Sequence, residues 1–133
     1  MTKQVAIVLA GCGVFDGSEI YETTLTLLRL DQLGIGYRCF APDVAQHHVI
    51  NHLDQSPVEG ETRNVLQESA RLARGDISPI TELDSDEFDA VIVPGGFGVA
   101  KNLSDFAMQS DSMQVLESVK EALAGFKEDA KPI

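Results

Sequence analysis

The sequence has no tryptophan, two cysteines, and ten basic residues against twenty-one acidic ones. Each shortage closes a class of function. A formal net charge of −11 repels phosphate backbones and anionic headgroups, so neither nucleic acid nor a membrane surface is an expected partner. No apolar run approaches the ~20 residues that a transmembrane helix needs. Cys12 and Cys39 lack metal-ligand spacing and are too few for a disulfide framework. His47, His48 and His52 stand at i, i+1 and i+5, which gathers no ligand set on one face; they read as solvated loop or hairpin residues. No metal and no organic cofactor is therefore expected. Met1-Thr2-Lys3-Gln4 runs straight into a strand pattern, so no leader segment is expected, and a reducing cytoplasm is the expected compartment.

What is present is enough for a core. With 44% hydrophobic residues over 133 positions, the chain reads as one domain with its own buried interior. Val5 to Ala10 is a continuous apolar run, the first strand. The turn Gly11-Cys12-Gly13-Val14-Phe15-Asp16-Gly17 follows. A helix then runs from near Ser18 to about Leu33, capped by Asp16 or Ser18 and closed by Gly34. Its Ile20, Thr24, Leu27 and Leu28 share an apolar face that Leu25, Leu30 and Leu33 widen. Tyr37 to Ala41 is the second strand. His47 to Leu53 reads as a short strand or hairpin arm, and Gln55 to Glu61 as loop. Asn64 to Arg74 is helical, with Leu66, Ala70 and Ala73 spaced for burial and Gly75 as the stop. Asp76 to Asp89 is acidic loop with a turn of helix at residues 84–87. Ala90 to Val93 is a strand expected to be buried on both faces. A short helix over Ala100 to Phe106 and a last one from Ser112 to Lys127 complete the order. Strand alternating with helix predicts a doubly wound, mostly parallel, flavodoxin-like α/β sheet. Pro132-Ile133 reads as the start of a further strand, so the sheet is expected to stop short of its next member.

Two turns carry the chemistry. In open α/β sheets, ligands bind beyond the carboxyl ends of the strands. Pro94-Gly95-Gly96 lies at such an end, and its glycines let a ligand approach backbone amides, a candidate anion or oxyanion site. The first turn, Gly11-x-Gly13-x-x-x-Gly17, comes near the dinucleotide fingerprint, with Asp43 available as a ribose-binding acid. However, Asp16, Glu19 and Glu22 stand where a pyrophosphate would want bare amides. Glu19 and Glu22 share one helix face. Glu19 reads as an ordinary first-turn acid. Glu22, between Tyr21 and the apolar stretch from Leu25, is expected to be partly desolvated and able to move a proton. Cys12 follows a strand, but nearby acids make it a poor nucleophile, and Cys39 reads as core. Arg63, Arg71 and Arg74 read as a solvated helix face with Glu68.

Four stretches together carry a family resemblance: residues 11–20 (GCGVFDGSEI), Phe40-Ala41-Pro42-Asp43, residues 61–66 (ETRNVL) and residues 93–103 (VPGGFGVAKNL). The chain resembles the ThiJ/PfpI superfamily of class I glutamine-amidotransferase-like proteins, and within it the ElbB-like group, described as glyoxalases associated with isoprenoid biosynthesis. The resemblance implies a Cys–Glu centre acting on a small dicarbonyl such as glyoxal, without cofactor, in a homo-oligomer. It places Glu22 where the family keeps the glutamate that contacts the nucleophile, and Gly96 where a backbone amide completes the oxyanion site. Cys12, Glu19 and Gly95 fall beside that site. The nucleophilic cysteine is expected on an elbow soon after Ile133, so it is absent from this sequence, and the chain itself is expected to be inactive. A non-catalytic interaction module is the alternative from a different class; a nucleotide-binding domain is a weaker one.

Overall fold

The first strand sets the architecture. In the computed structural model, which describes residues 2–109 and 111–133, β1 (Gln4–Val8) is an interior strand, paired in parallel with β4 on one side and β8 on the other. Side chains alternate across a strand. Accordingly Val5, Ile7 and Leu9 enter one core, and Ala6, Val8 and Ala10 enter the other. A continuous apolar run is what a strand covered on both faces requires.

After β1 come β2 (Cys12–Gly13) and β3 (Ser18–Glu19), a two-strand pairing within the first turn, then α1 (Ile20–Gln32) and β4 (Gly36–Ala41). A hairpin of β5 (Ile50–Asn51) and β6 (Ser56–Pro57) follows, then α2 (Val65–Ala73), β7 (Ile77–Pro79), and 3-10 turns at Ile80–Glu82 and Ser85–Glu87. The chain continues through β8 (Ala90–Ile92), α3 (Phe97–Lys101) and α4 (Glu117–Glu128). The main sheet is parallel in the order β7-β4-β1-β8. Residues of α1 and α2 pack on one face, and Val119, Ala122 and Phe126 of α4 pack on the other. This is the α/β layering expected of a flavodoxin-like fold.

Several expectations are corrected. The strand at 90–93 is an outer member of the described sheet. Val91 is buried, but Ala90, Ile92 and Val93 are only half-buried. Beside it the Val91 amide donates to the Pro132 carbonyl at 3.0 Å, so the last residues run along β8. The acidic stretch before it conceals β7, whose Pro79 argues against a strand; it is tolerated because β7 lies at the sheet edge. Of the expected stripe on α1, Leu27 and Leu30 reach the core, joined by buried Thr23 in place of Thr24, while Ile20, Leu25, Leu28 and Leu33 stay exposed. On α2 the fully buried pair is Val65 and Ser69; Leu66, Ala70 and Ala73 are half-buried, and Arg74 rather than Gly75 is the left-handed C-cap. The short helix begins at Phe97, straight out of the Gly96 turn, because the Phe97 and Gly98 amides dock on the Val14 and Gly17 carbonyls. The last helix starts at Glu117 rather than Ser112, since Val115 bridges to Ser104 and the Leu116 amide bonds the Leu103 carbonyl.

Candidate functional site

The two turns meet beyond the carboxyl ends of β1 and β8. The Glu19 amide donates to the Gly95 carbonyl at 2.7 Å, Phe97 N–H to the Val14 carbonyl at 2.7 Å, and Gly98 N–H to the Gly17 carbonyl at 3.0 Å. Neither partner turn leaves room for side chains. Gly96 sits at φ 117°, and a Cβ there would lie 2.6 Å from the Glu19 nitrogen. A Cβ on Gly98 would lie 2.5 Å from the Ala10 carbonyl oxygen. Glycine is thus required by backbone-to-backbone approach as well as by φ.

Glu22 reaches this junction from the first turn of α1. Its Oε1 accepts a hydrogen bond from the Gly95 amide at 3.3 Å, and a Cβ on Gly95 would stand 2.8 Å from the same oxygen. The Gly96 amide has no hydrogen-bond acceptor among the described residues. Glu19 is the N-cap of α1: its Oε2 accepts from the Glu22 amide at 2.6 Å, fixing the turn that carries Glu22. Glu19, Glu22, Gly95 and Gly96 therefore converge. The expected desolvation of Glu22 is not found. Tyr21, Glu22 and Leu25 all face outward, because the buried stripe of α1 runs through Thr23, Leu27 and Leu30.

Neither cysteine is hydrogen-bonded to Glu22 among the described residues. Cys12 pairs with Ser18 in the β2–β3 register and opens towards Arg71 and Leu72 of α2. Burial pushes its thiol above the ordinary range, and the Glu68 carboxylate adds to this against the partial opposition of Arg71. Cys39 is buried within β4, where burial raises its pKa to about 11. A neutral thiol is a weak nucleophile, so neither cysteine is poised for attack. Among the described residues no group of three His, Cys, Asp or Glu side chains could hold a metal ion.

Sequence reasoning missed the residues that hold the turns. Asn102 is buried: its Nδ2 donates to the Ala10 and Asp16 carbonyls at 2.9 and 3.1 Å, and its Oδ1 accepts from the His47 amide at 2.9 Å. Ser18 Oγ accepts from the Ala10 amide and Ser69 Oγ from the Gly11 amide, both at 2.8 Å. Asp16 caps no helix. Its buried carboxylate accepts from the Ile50 amide at 2.8 Å and so ties the hairpin to the first turn. That carboxylate also crowds Gly13, where a phosphate-binding turn would keep open amides. His52 is not simply solvated: it packs on Phe15, with ring centroids 5.1 Å apart, and its Nε2 stands 3.8 Å from Asp16 Oδ1. Only the polar character of Ser18, Ser69 and Asn102 inside apolar stretches could have signalled these roles.

No family model matches the chain. Curated relatives do. It is 50% identical over 130 residues to the human mitochondrial protein "Glutamine amidotransferase-like class 1 domain-containing protein 3", covering 98% of this chain and 48% of that protein. It is 49% identical over 130 residues to the rat "ES1 protein homolog, mitochondrial", covering 98% of this chain and 49% of the relative. With the mitochondrial ES1 protein of Danio rerio it shares 36% identity over 133 residues, 97% of this chain and 49% of the relative. The chain thus spans about half the length of these relatives. A crystal structure of an isoprenoid biosynthesis protein with an amidotransferase-like domain from Ehrlichia chaffeensis superposes with a TM-score of 0.92 at 42% identity, over 99% of this chain and 60% of that one. The expectation of a cytoplasmic location is overturned, since these three relatives are mitochondrial proteins. Unpaired cysteines and an acidic composition fit any reducing compartment and so could not tell one from another. The motifs read in the sequence and these likenesses agree: the chain belongs to the glutamine amidotransferase-like class 1, or ES1, family.

Proposed function

We propose that this chain supplies the acid and the oxyanion amide of a cofactor-independent glyoxalase that converts a small dicarbonyl to a hydroxy acid. The observation that carries the reading is the Glu22 carboxylate seated on the Gly95 amide, 3.3 Å away, next to a Gly96 amide with no acceptor of its own among the described residues. A base and an oxyanion donor side by side at a strand's carboxyl end suit addition to a carbonyl.

The nucleophile in this reading is a cysteine outside the present sequence, since burial pushes the thiols of Cys12 and Cys39 up and keeps both protonated. Its thiolate adds to one aldehyde carbon, and the Gly96 amide donates to the oxygen that gains charge. Glu22 takes the proton from that carbon and returns it to the neighbouring one, so the aldehyde there becomes an alcohol and the first carbon a thioester. Water then cleaves the thioester, releasing the hydroxy acid and the thiol. The net change is dicarbonyl plus water to hydroxy acid, with no external oxidant or reductant.

The test is turnover of glyoxal by the longer protein that contains this chain. Glu22→Gln keeps the shape and the Gly95 contact but removes the base, and kcat is expected to fall roughly 10²-fold or more. Unchanged turnover in Glu22→Gln, or turnover that vanishes with Cys12→Ser, would overturn the assignment.

A further inference from the structure

We propose that the cavity between α1 and α2 is a binding site for a small amphiphilic organic acid, its anionic head on the guanidiniums of Arg71 and Arg74 and its apolar body along Ile20, Leu27 and Leu72. The cavity measures about 350 Å³, within the ~300–1,000 Å³ of small-molecule sites. At ~30 Å³ per heavy atom, it has room for roughly ten.

Three observations support it. First, the lining joins apolar and cationic groups: Ile20 and Leu27 of α1 and Leu72 of α2 supply hydrocarbon, and Arg71 and Arg74 supply two guanidiniums. Second, the cations are set in place and available. Arg71 Nε donates to Glu68 Oε2 at 2.6 Å, which fixes its guanidinium while leaving both terminal nitrogens without a protein acceptor among the described residues. Arg74 has no carboxylate within ion-pair distance among the described residues. It also holds a left-handed backbone at φ 54°, a position that glycine usually fills. Third, Arg63 also lies 3.7 Å from the Glu68 carboxylate, so that one acid is shared between two guanidiniums and does not neutralise Arg71 alone.

The site is separate from the Glu22 junction. Ile20, Thr24 and Leu27 are spaced i, i+4 and i+7 on one face of α1, whereas Glu22 lies about 200° round the helix from Ile20. Cys12 lines the cavity and reports on its occupancy.

The experiment titrates the protein with hexanoate, hexyl phosphate, hexanol and acetate, following heat of binding and the rate of Cys12 alkylation by iodoacetamide. Hexanoate or hexyl phosphate is expected to bind and to slow alkylation, and the tighter of the two identifies the head group. Hexanol lacks the charge and acetate the body, so each is expected to bind about tenfold more weakly or worse. Arg74→Gly suits the left-handed position and keeps the helix end, so it is expected to fold and to lose about tenfold in hexanoate affinity. Glu22→Gln is expected to leave binding unchanged, so this proposal and the glyoxalase reading fail separately. Hexanol binding as well as hexanoate, full affinity in Arg74→Gly, or binding without protection of Cys12 would each overturn the proposal.

Discussion

Gly96→Ala tests whether the two turns are clamped by backbone contact. At φ 117° and ψ 157° the residue sits in a region open essentially to glycine, and a side chain there costs ~1–3 kcal/mol in backbone strain. The added Cβ would also meet only backbone, 2.6 Å from the Glu19 nitrogen and 2.9 Å from the Ser18 carbonyl carbon. Backbone cannot swing aside as a flexible side chain can, so overpacking adds a further ~1–3 kcal/mol. The sum of ~2–6 kcal/mol corresponds to a fall of about 1–3 M in the urea midpoint at a slope of ~2 kcal/mol per molar. Three controls separate the causes. Gly34 has positive φ and nothing within 4 Å, so Gly34→Ala is expected to cost only the ~1–2 kcal/mol of a left-handed residue. The Cβ of Gly98→Ala would meet the Ala10 oxygen at 2.5 Å without a positive φ, so it is expected to cost ~1–3 kcal/mol from crowding alone. Gly36→Ala would meet only the Gln4 side chain, whose Oε1 is 2.6 Å away and free to move, and is expected within ~0.5 kcal/mol of wild type. Equilibrium urea unfolding followed by circular dichroism gives the four values. If Gly96→Ala matches Gly34→Ala to within ~0.5 kcal/mol, contact between the turns contributes nothing and the clamp is wrong.

Asn102→Ala strips partners from the buried Ala10 and Asp16 carbonyls and the His47 amide; at ~1–3 kcal/mol per unpaired buried group, a loss of about 3 kcal/mol or more is expected, and one under ~1 kcal/mol would refute its role as the tie between the turns. Glu19→Ala removes the N-cap of α1 and is expected to cost ~0.5–2 kcal/mol; a cost near zero would mean that Glu19 does not fix the first turn. Cys39 titrates at about 11 against an ordinary 9.0 because it is buried. Between those values the unfolded chain gives up its proton while the folded one keeps it, so stability falls as pH rises from 9 to 11, by roughly 2–3 kcal/mol in all. Urea titrations of wild type and Cys39→Ala at pH 8.5 and 11 isolate that slope, which the variant is expected to lack; equal slopes in both would refute the burial argument.

Much of this molecule is written in its local sequence. The run from Val5 to Ala10 dictates an interior strand because every residue in it must be apolar if both faces are covered. The alternation of strand and helix dictates parallel pairing because parallel neighbours need crossovers. The doublet Gly95-Gly96 marks a turn where no side chain fits, and with Glu22 it points to the carboxyl end of the sheet. These features depend on residue type and short-range spacing, so no partner element was needed to read them. What only the tertiary structure decided depends on partners distant in sequence. Asp16 looks like a helix cap, yet it bonds Ile50, 34 positions on. Ser69 looks like a neutral helix residue until the Gly11 amide arrives 58 positions from it. Asn102 joins segments 92 and 55 positions away. The strand at Ile77–Pro79 is a strand only because Cys39 to Ala41 offers it a free edge. The exposure of Glu22 was equally out of reach, because a residue's burial follows from which stripe of its helix meets the sheet, and on α1 that stripe is set by where β4 and α2 lie.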